Sequence, residues 1–236
     1  EGDFFNRRDL ELVLKGCDAC INLVTTTLPA TSNDDMIFDV TTNLVGSLNL
    51  LQAAVDFGVK KMVYMSSGGT VYGIPRKHPI TESHPTDPIS SYGITKLAVE
   101  KYMALFRRLY GLEAIALRLS NPYGERQKTT GKQGAVAVFL GAALKGDAIE
   151  IWGDGSVVRD YIHVSDVVQA TLRALSYSGE TNVFNIGSGE GRTLLDVVQT
   201  VESATGVSLK IEYKPSRVVD VPSSVLDIGL ASSELN

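Results

Sequence analysis

An α/β fold built on a doubly wound parallel sheet is what this chain predicts, and three observations predict it. Six short apolar runs read as strands. Five amphipathic runs at helical spacing separate them. Small and hydroxylated residues cluster after the strands, where open parallel sheets bind ligands. Nearly continuous apolar strands, with helices between them, suit a sheet covered on both faces.

In chain order, residues 19–24 form the first strand candidate, and 41–57 follow as a helix. Strand 61–66 leads into a loop carrying Pro75, Pro79, Pro85 and Pro88. Helix 92–110 comes next: Leu97, Val99, Tyr102, Leu105 and Phe106 recur at roughly helical spacing until Gly111 stops it. Strand 114–119, helix 134–144, strand 149–152, helix 165–176, strand 183–186, helix 193–205 and strand 209–213 complete the pattern. Beyond about Gly124 the elements become irregular. This predicts a main domain over 1–124 and a smaller α/β substrate-binding lobe over 125–236, with some later segments returning to the first.

The chain has 236 residues, 44% of them hydrophobic, enough for one large or two small globular domains. Lys+Arg 22 against Asp+Glu 27 leaves a net charge of −5 and no basic stripe. Nucleic acid and anionic membrane are therefore not expected partners. No apolar run approaches transmembrane length and no signal peptide is visible, so a soluble cytoplasmic protein is the default expectation. Cys17 and Cys20 spell C-x-x-C, but His78, His84 and His163 are scattered and supply no second zinc-ligand pair. A redox dithiol should open a helix, whereas Cys20 sits in a strand-like run. Two incidental thiols are expected, and no metal.

Tyr92 and Lys96 carry the chemistry. Four residues apart on a helix, they share one face. A phenol ordinarily ionises near pH 10, and an ammonium fixed beside it favours the phenolate and makes a usable base. With nine tyrosines in the chain, such a pair arises by chance about 0.4 times, so its meaning rests on context.

That context is a set of ordered motifs: Ser66-Ser67-Gly68-Gly69-Thr70-Val71-Tyr72-Gly73, Tyr92-Gly93-Ile94-Thr95-Lys96, Arg118-Leu119-Ser120-Asn121-Pro122-Tyr123-Gly124, the run from Gly153 to Asp166 containing Arg159-Asp160-Tyr161-Ile162-His163, and Phe184-Asn185-Ile186-Gly187-Ser188-Gly189. Their order and spacing resemble the extended short-chain dehydrogenase/reductase family, and within it the nucleotide-sugar 4-epimerases. The resemblance covers essentially the whole chain. It implies a Rossmann-like sheet, NAD as cofactor and a UDP-hexose as substrate. The activity it implies is 4-epimerisation through a 4-keto sugar, and the main alternatives are another epimerase or reductase of the family or a non-catalytic member.

Residue by residue, the resemblance makes Tyr92 the catalytic base and Lys96 the support for the phenolate and the nicotinamide ribose. Asp3 and Phe4 match residues flanking the adenine, and Asn43 and Ser66 match positions on the cofactor side. Asn121 matches a contact to the substrate diphosphate; Arg159, Arg217 and Asp220 match the residues that hold diphosphate and ribose. Arginine forks suit phosphate oxygens and a carboxylate suits ribose hydroxyls. The bland alternatives are a surface ion pair for Arg159 and a solvated loop position for Arg217. Ser224 aligns where a bulky tyrosine in some relatives narrows the pocket, so N-acetylated hexoses are admitted beside UDP-glucose and UDP-galactose. His163 reads as structural. The family also implies a homodimer through helices 41–57 and 91–110, with Leu48, Leu51 and Leu105 as contacts.

Two departures stand out. No G-x-x-G-x-x-G occurs in this sequence, although the family cradles its dinucleotide on such a turn. The expectation is that roughly fifty to sixty residues of a longer protein precede this piece, carrying the first strands and the glycine turn. The second departure is Gly68, where the family places a catalytic serine or threonine. If the segment is extended, Thr70 shares a side with Gly68, which makes Thr70 the candidate replacement and Ser67 the second choice. Related 4,6-dehydratases carry an acidic pair where Gly69 and Thr70 stand. Without those acids, elimination lacks its acid and base.

Overall fold

The computed structural model describes residues 2–131, 133–216 and 221–235. The chain opens with helix α1 (Arg7–Leu14), capped by the Asn6 side chain, and strand β1 (Ala19–Asn22). A loop leads to α2 (Met36–Asp39), which widens into one stretch of π-helix (Val40–Val45) before α3 (Gly46–Asp56). Strand β2 (Lys61–Ser67), helix α4 (Ser91–Tyr110) and strand β3 (Glu113–Leu119) follow.

The expected helix over 41–57 therefore begins five residues earlier, at Met36. Met36, Ile37 and Phe38 are exposed, so they break the apolar periodicity that would have marked this start. The cap is polar and local instead: the Asp35 carboxylate accepts from the Phe38 amide at 2.8 Å.

Helix α4 ends are well specified. Ser90 caps its start by accepting from the Gly93 amide, and Gly111 ends it at φ +70°, a conformation only glycine adopts freely. Its inner face buries Val99, Met103 and Phe106, each contributing roughly 1.5–3 kcal/mol. Lys96 and Glu100 lie on that same buried face.

The later chain supplies β4 (Asn121–Tyr123), α5 (Ala135–Lys145), β5 (Ala148–Trp152), β6 (Val158–His163), α6 (Val164–Ser176) and β7 (Val183–Ile186). It closes with β8 (Gly191–Thr193), α7 (Leu194–Thr205), β9 (Lys210–Lys214), β10 (Ser223–Ser224) and α8 (Gly229–Glu234).

The main sheet runs β1-β2-β3-β7, all parallel. Leu10, Leu14, Leu50, Leu51, Met103 and Phe106 cover one face; Ile162, Ala174 and Leu235 help to cover the other. The doubly wound expectation holds, and β7 returns from the later part of the chain to complete the sheet. A second small sheet, β5-β9, packs with α5 and α7 around Ile149, Ile151 and Val198. A third runs β10-β6-β4, with β8 antiparallel on β6.

All six expected strands are present. Four more, β4, β6, β8 and β10, escaped the apolar signal because they are short or polar: Asn-Pro-Tyr, Gly-Arg-Thr and Ser-Ser carry no hydrophobic run, and β6 is interrupted by Arg159 and Asp160. None of the described helices is long and apolar enough to cross a membrane.

Candidate active site

The carboxyl ends of β2 and β3 meet the amino end of α4. Lys96 is 5% exposed; its Nζ donates to the Met65 carbonyl at 2.7 Å and lies 4.7 Å from the Tyr64 ring centroid and 5.5 Å from that of Tyr92. The first turn of α4 is tied to the loop after β1. The Ser91 amide donates to Asn33 Oδ1 at 2.9 Å, and the Tyr92 amide donates to Ser32 Oγ at 3.0 Å.

The electrostatics differ from the sequence expectation. Burial, reinforced by the Asp39 carboxylate, pushes the Tyr92 phenol up to about 12, with Thr25 offsetting part of the rise. Burial pulls Lys96 down to about 8, against the pull of Asp39 and Glu100. The ammonium faces a backbone carbonyl, and Asp39 opposes its influence on the phenol. Burial and Asp39 thus weigh toward the phenol form of Tyr92, against the pull expected of Lys96.

Asp39, which sequence reasoning missed, is wholly buried. Its Oδ1 accepts from Thr27 Oγ1 at 2.5 Å and from Asn43 Nδ2 at 2.8 Å; its Oδ2 accepts from Ser91 Oγ at 2.6 Å and Thr95 Oγ1 at 3.3 Å. The spacing of Asp39 to Asn43, one turn, was the available signal. Asn43 spends its own side chain on this network: Oδ1 accepts from the Thr26 amide at 2.9 Å.

The segment after β2 is not extended. Thr70 and Val71 amides both return to the Ser67 carbonyl, making a helical turn, so the argument that alternate residues share a side fails here. A different observation singles out Thr70: its Oγ1 is buried with no hydrogen-bond partner, as is Ser120 Oγ at the end of β3. The Thr70 carbonyl lies where a Cβ on Gly93 would stand, at 2.8 Å, so the turn packs directly on the first turn of α4. Ser66, expected on the cofactor side, is buried at the end of β2. Its hydroxyl donates to Glu100, which also holds Arg118 in a buried pair at 2.7 Å.

The remaining candidates fall in two places. Asp3 is exposed and accepts from the Phe5 amide; Phe4 lies against Gly46 of α3 and its carbonyl accepts from Asn49. On the third sheet, Ser224 stands beside Arg159 in the β10–β6 register, and Asn121 Nδ2 donates to the Asp160 carbonyl at 2.9 Å. Arg159 is half-buried and donates to the Val158 carbonyl at 2.8 Å. Asp160 gathers the Ser188, Gly189 and Leu226 amides. Gly187 is required at that approach, because a Cβ would meet Asp160 Oδ2 at 2.4 Å. Arg217 and Asp220 lie outside the described residues. His163 caps α6. Cys17 and Cys20 are free thiols, and no metal-binding cluster occurs among the described residues.

A cavity of about 260 Å³ lies elsewhere, between α6 and α8, and is lined by Asp166, Arg173, Ile228 and Leu235. It holds none of the candidate residues. The chemistry favours the strand ends, where ligands of open α/β sheets sit.

The NAD-dependent epimerase/dehydratase family model matches residues 1–187. The chain belongs to this family. Among epimerase/dehydratase relatives, it is 36% identical over 228 residues to a putative UDP-glucose 4-epimerase of Methanocaldococcus jannaschii, covering 97% of this chain and 72% of that one. It is 41% identical over 196 residues to the UDP-glucose 4-epimerase of Mycolicibacterium smegmatis, covering 83% of this chain and 63% of that one.

Solved epimerases superpose closely. The Thermotoga maritima UDP-glucose 4-epimerase with UDP-glucose gives a TM-score of 0.95 at 38% identity, over 100% of this chain and 77% of that chain. The Methanobrevibacter ruminantium UDP-N-acetylglucosamine 4-epimerase, in complex with UDP-N-acetylmuramic acid, gives 0.93 at 27% identity, over 100% and 75%.

Proposed function

We propose that this protein is an NAD-dependent 4-epimerase of a UDP-linked hexose. One observation carries the reading: Lys96 reaches the Met65 carbonyl at the carboxyl end of β2, and the turn bearing the partnerless buried hydroxyl of Thr70 packs on the first turn of α4, which carries Tyr92. A buried hydroxyl without a partner costs roughly 1–3 kcal/mol, and a sugar hydroxyl would satisfy it. The donor set fits the cofactor as well. Phe4 would flank the adenine, Asn43 and its loop would line the middle, and Lys96 would hold the nicotinamide ribose.

When bound, NAD would supply the hydride acceptor and donor for C4. The chain's own residues do the rest. Acting from its phenolate form, Tyr92 takes the proton of the 4-hydroxyl and so returns to the phenol that burial favours, and Thr70 orients that hydroxyl. Asn121 and Arg159, with Arg217 and Asp220, would grip the diphosphate and ribose. A firm hold on the nucleotide and a loose one on the hexose permit the sugar to turn. Dehydration has no support, since Gly69 and Thr70 replace the acids it needs.

The buried, small Ser224 beside Arg159 favours an N-acetyl-tolerant pocket as the second reading within the same activity. A homodimer through α3 and α4 and a cytoplasmic location belong to the same proposal; the free thiols suit a reducing compartment. The test supplies the protein with NAD and UDP-galactose, or UDP-N-acetylgalactosamine, and follows the gluco epimers by chromatography. Conversion of at least one pair is expected, and conversion of neither overturns the proposal. Ser224→Tyr should lower kcat/KM on the acetylated pair about tenfold more than on the plain pair.

A further inference from the structure

We infer that Asp39 is the positioning residue of this site. Its buried carboxylate locks the loop after β1 to the first turn of α4 and places a fixed negative charge behind Tyr92 and Lys96. This rests on the reading of Tyr92 and Lys96 as the reactive pair.

Three separate elements converge on the two carboxylate oxygens. Thr27 comes from the loop after β1, Asn43 from the π-helix, and Ser91 and Thr95 from α4. Ser91 immediately precedes Tyr92, and Thr95 immediately precedes Lys96, so the bonds anchor α4 directly ahead of each member of the pair. Thr26 is pinned as well, its amide to Asn43 Oδ1 and its hydroxyl 2.6 Å from Thr42 Oγ1. The π-helical widening displaces the helix by one residue at this spot and turns Asp39, Thr42 and Asn43 toward the loop.

A buried carboxylate is costly unless its lone pairs are filled. Four hydroxyl and amide donors fill them here. The groups facing Lys96 are few. Asp39 comes from α2, Glu100 from α4, and the Tyr64 and Tyr92 rings from β2 and α4. Glu100 is already committed to Arg118. Asp39 is thus the acid left to hold Lys96 as an ammonium.

Asp39→Asn separates charge from bonding. The amide oxygen still accepts from Thr27 and Asn43, and the hydroxyls of Ser91 and Thr95 can accept where they donated. Two readouts decide the matter. The first is trace acetylation of Lys96 across neutral to alkaline pH, read by mass spectrometry on the full chain. Its midpoint should fall by about one unit in the variant. The second is turnover: kcat should fall about tenfold with KM within about twofold, the loss of Lys96 charge and of the fixed first turn outweighing the easier ionisation of Tyr92.

A folded Asp39→Asn whose labelling midpoint and kcat both match the parent overturns the inference. If that variant does not fold, Thr27→Val with Ser91→Ala keeps the charge and removes two bonds. Hydrogen exchange of the Thr26 and Tyr92 amides should then accelerate about tenfold, and unchanged exchange overturns the inference equally. A parent protein without epimerase activity would defeat the proposed function instead, while labelling and exchange would still judge Asp39.

Discussion

Leu226 fills the space that a side chain at Gly68 would need. A Cβ at Gly68 would lie 2.6 Å from Leu226 Cδ1 and 3.0 Å from the Arg118 carbonyl oxygen. Leu226 is 1% exposed and packs with Val71, Tyr72 and Ile80, so it has little room to retreat. The missing family hydroxyl therefore cannot be restored at this position without disturbing the core.

Gly68→Ser should cost about 1–3 kcal/mol in urea unfolding and fail to raise turnover. Thr70→Val, which removes the partnerless hydroxyl, should lower kcat by about 100-fold, whereas Ser67→Ala should change it little. Equal, small losses in Thr70→Val and Ser67→Ala would remove Thr70 from the mechanism.

The pair Glu100–Arg118 joins α4 to β3 with both side chains about 95% buried, at 4% and 5% exposure respectively, and with Ser66 and Tyr72 completing its bonds. Breaking such a pair leaves a buried charge alone. Arg118→Met should destabilise by roughly 3–5 kcal/mol, and the double change Arg118→Met with Glu100→Leu should recover much of that loss. A double-mutant cycle by chemical denaturation measures it. Additive losses would show that the two side chains do not act as a unit.

Lys96 and Tyr92 make opposite contributions to stability as pH rises. Lys96 titrates at about 8 in the folded chain against 10.5 ordinarily. Between those values the unfolded chain holds more protons, so stability increases with pH there. Tyr92 runs from its ordinary 10.0 up to about 12. Above 10 the unfolded chain loses its phenol proton first, so stability falls. The urea midpoint should climb above pH 8 and turn downward beyond 10, and Lys96→Met should flatten the climb. A midpoint that falls steadily from pH 8 in the parent would contradict the assigned burial of Lys96.

The main sheet was legible because β1, β2, β3 and β7 are runs of apolar residues, and α4 because its buried stripe is periodic and Gly111 marks its end. The pair proposed as reactive, Tyr92 and Lys96, was singled out by spacing plus motif order. Asp39 was not. In the run from Asn33 to Asp39 it looks like one more acid in a solvated cluster. Its burial arises from partners 12 and 52 residues away, Thr27 and Ser91, which no local pattern reports. The orientation of Thr70 was hidden for a related reason. Whether Ser67-Gly68-Gly69-Thr70 extends or coils depends on Leu226 and Gly93 packing against it. Leu51 illustrates the limit of periodicity at the surface: offered as a subunit contact, it is 1% exposed and belongs to the core.

The outer stripe of α4 is a surface that suits the proposed self-association. Ile94, Tyr102, Leu105 and Leu109 are exposed at 54%, 39%, 44% and 59%, and their spacing sets them along one side of the helix. Val45, at the junction of the π-helix with α3, extends the apolar surface onto the neighbouring helical segment. A stripe of large apolar residues on two adjacent helices fits a four-helix interface between two copies. Leu105→Glu combined with Leu109→Glu should raise the dimer dissociation constant by about 100-fold, seen by sedimentation velocity at several concentrations. These residues point away from the buried face that carries Lys96, so the fold reported by circular dichroism should persist. A parent protein that sediments as a monomer at every concentration would leave this stripe without the partner proposed for it.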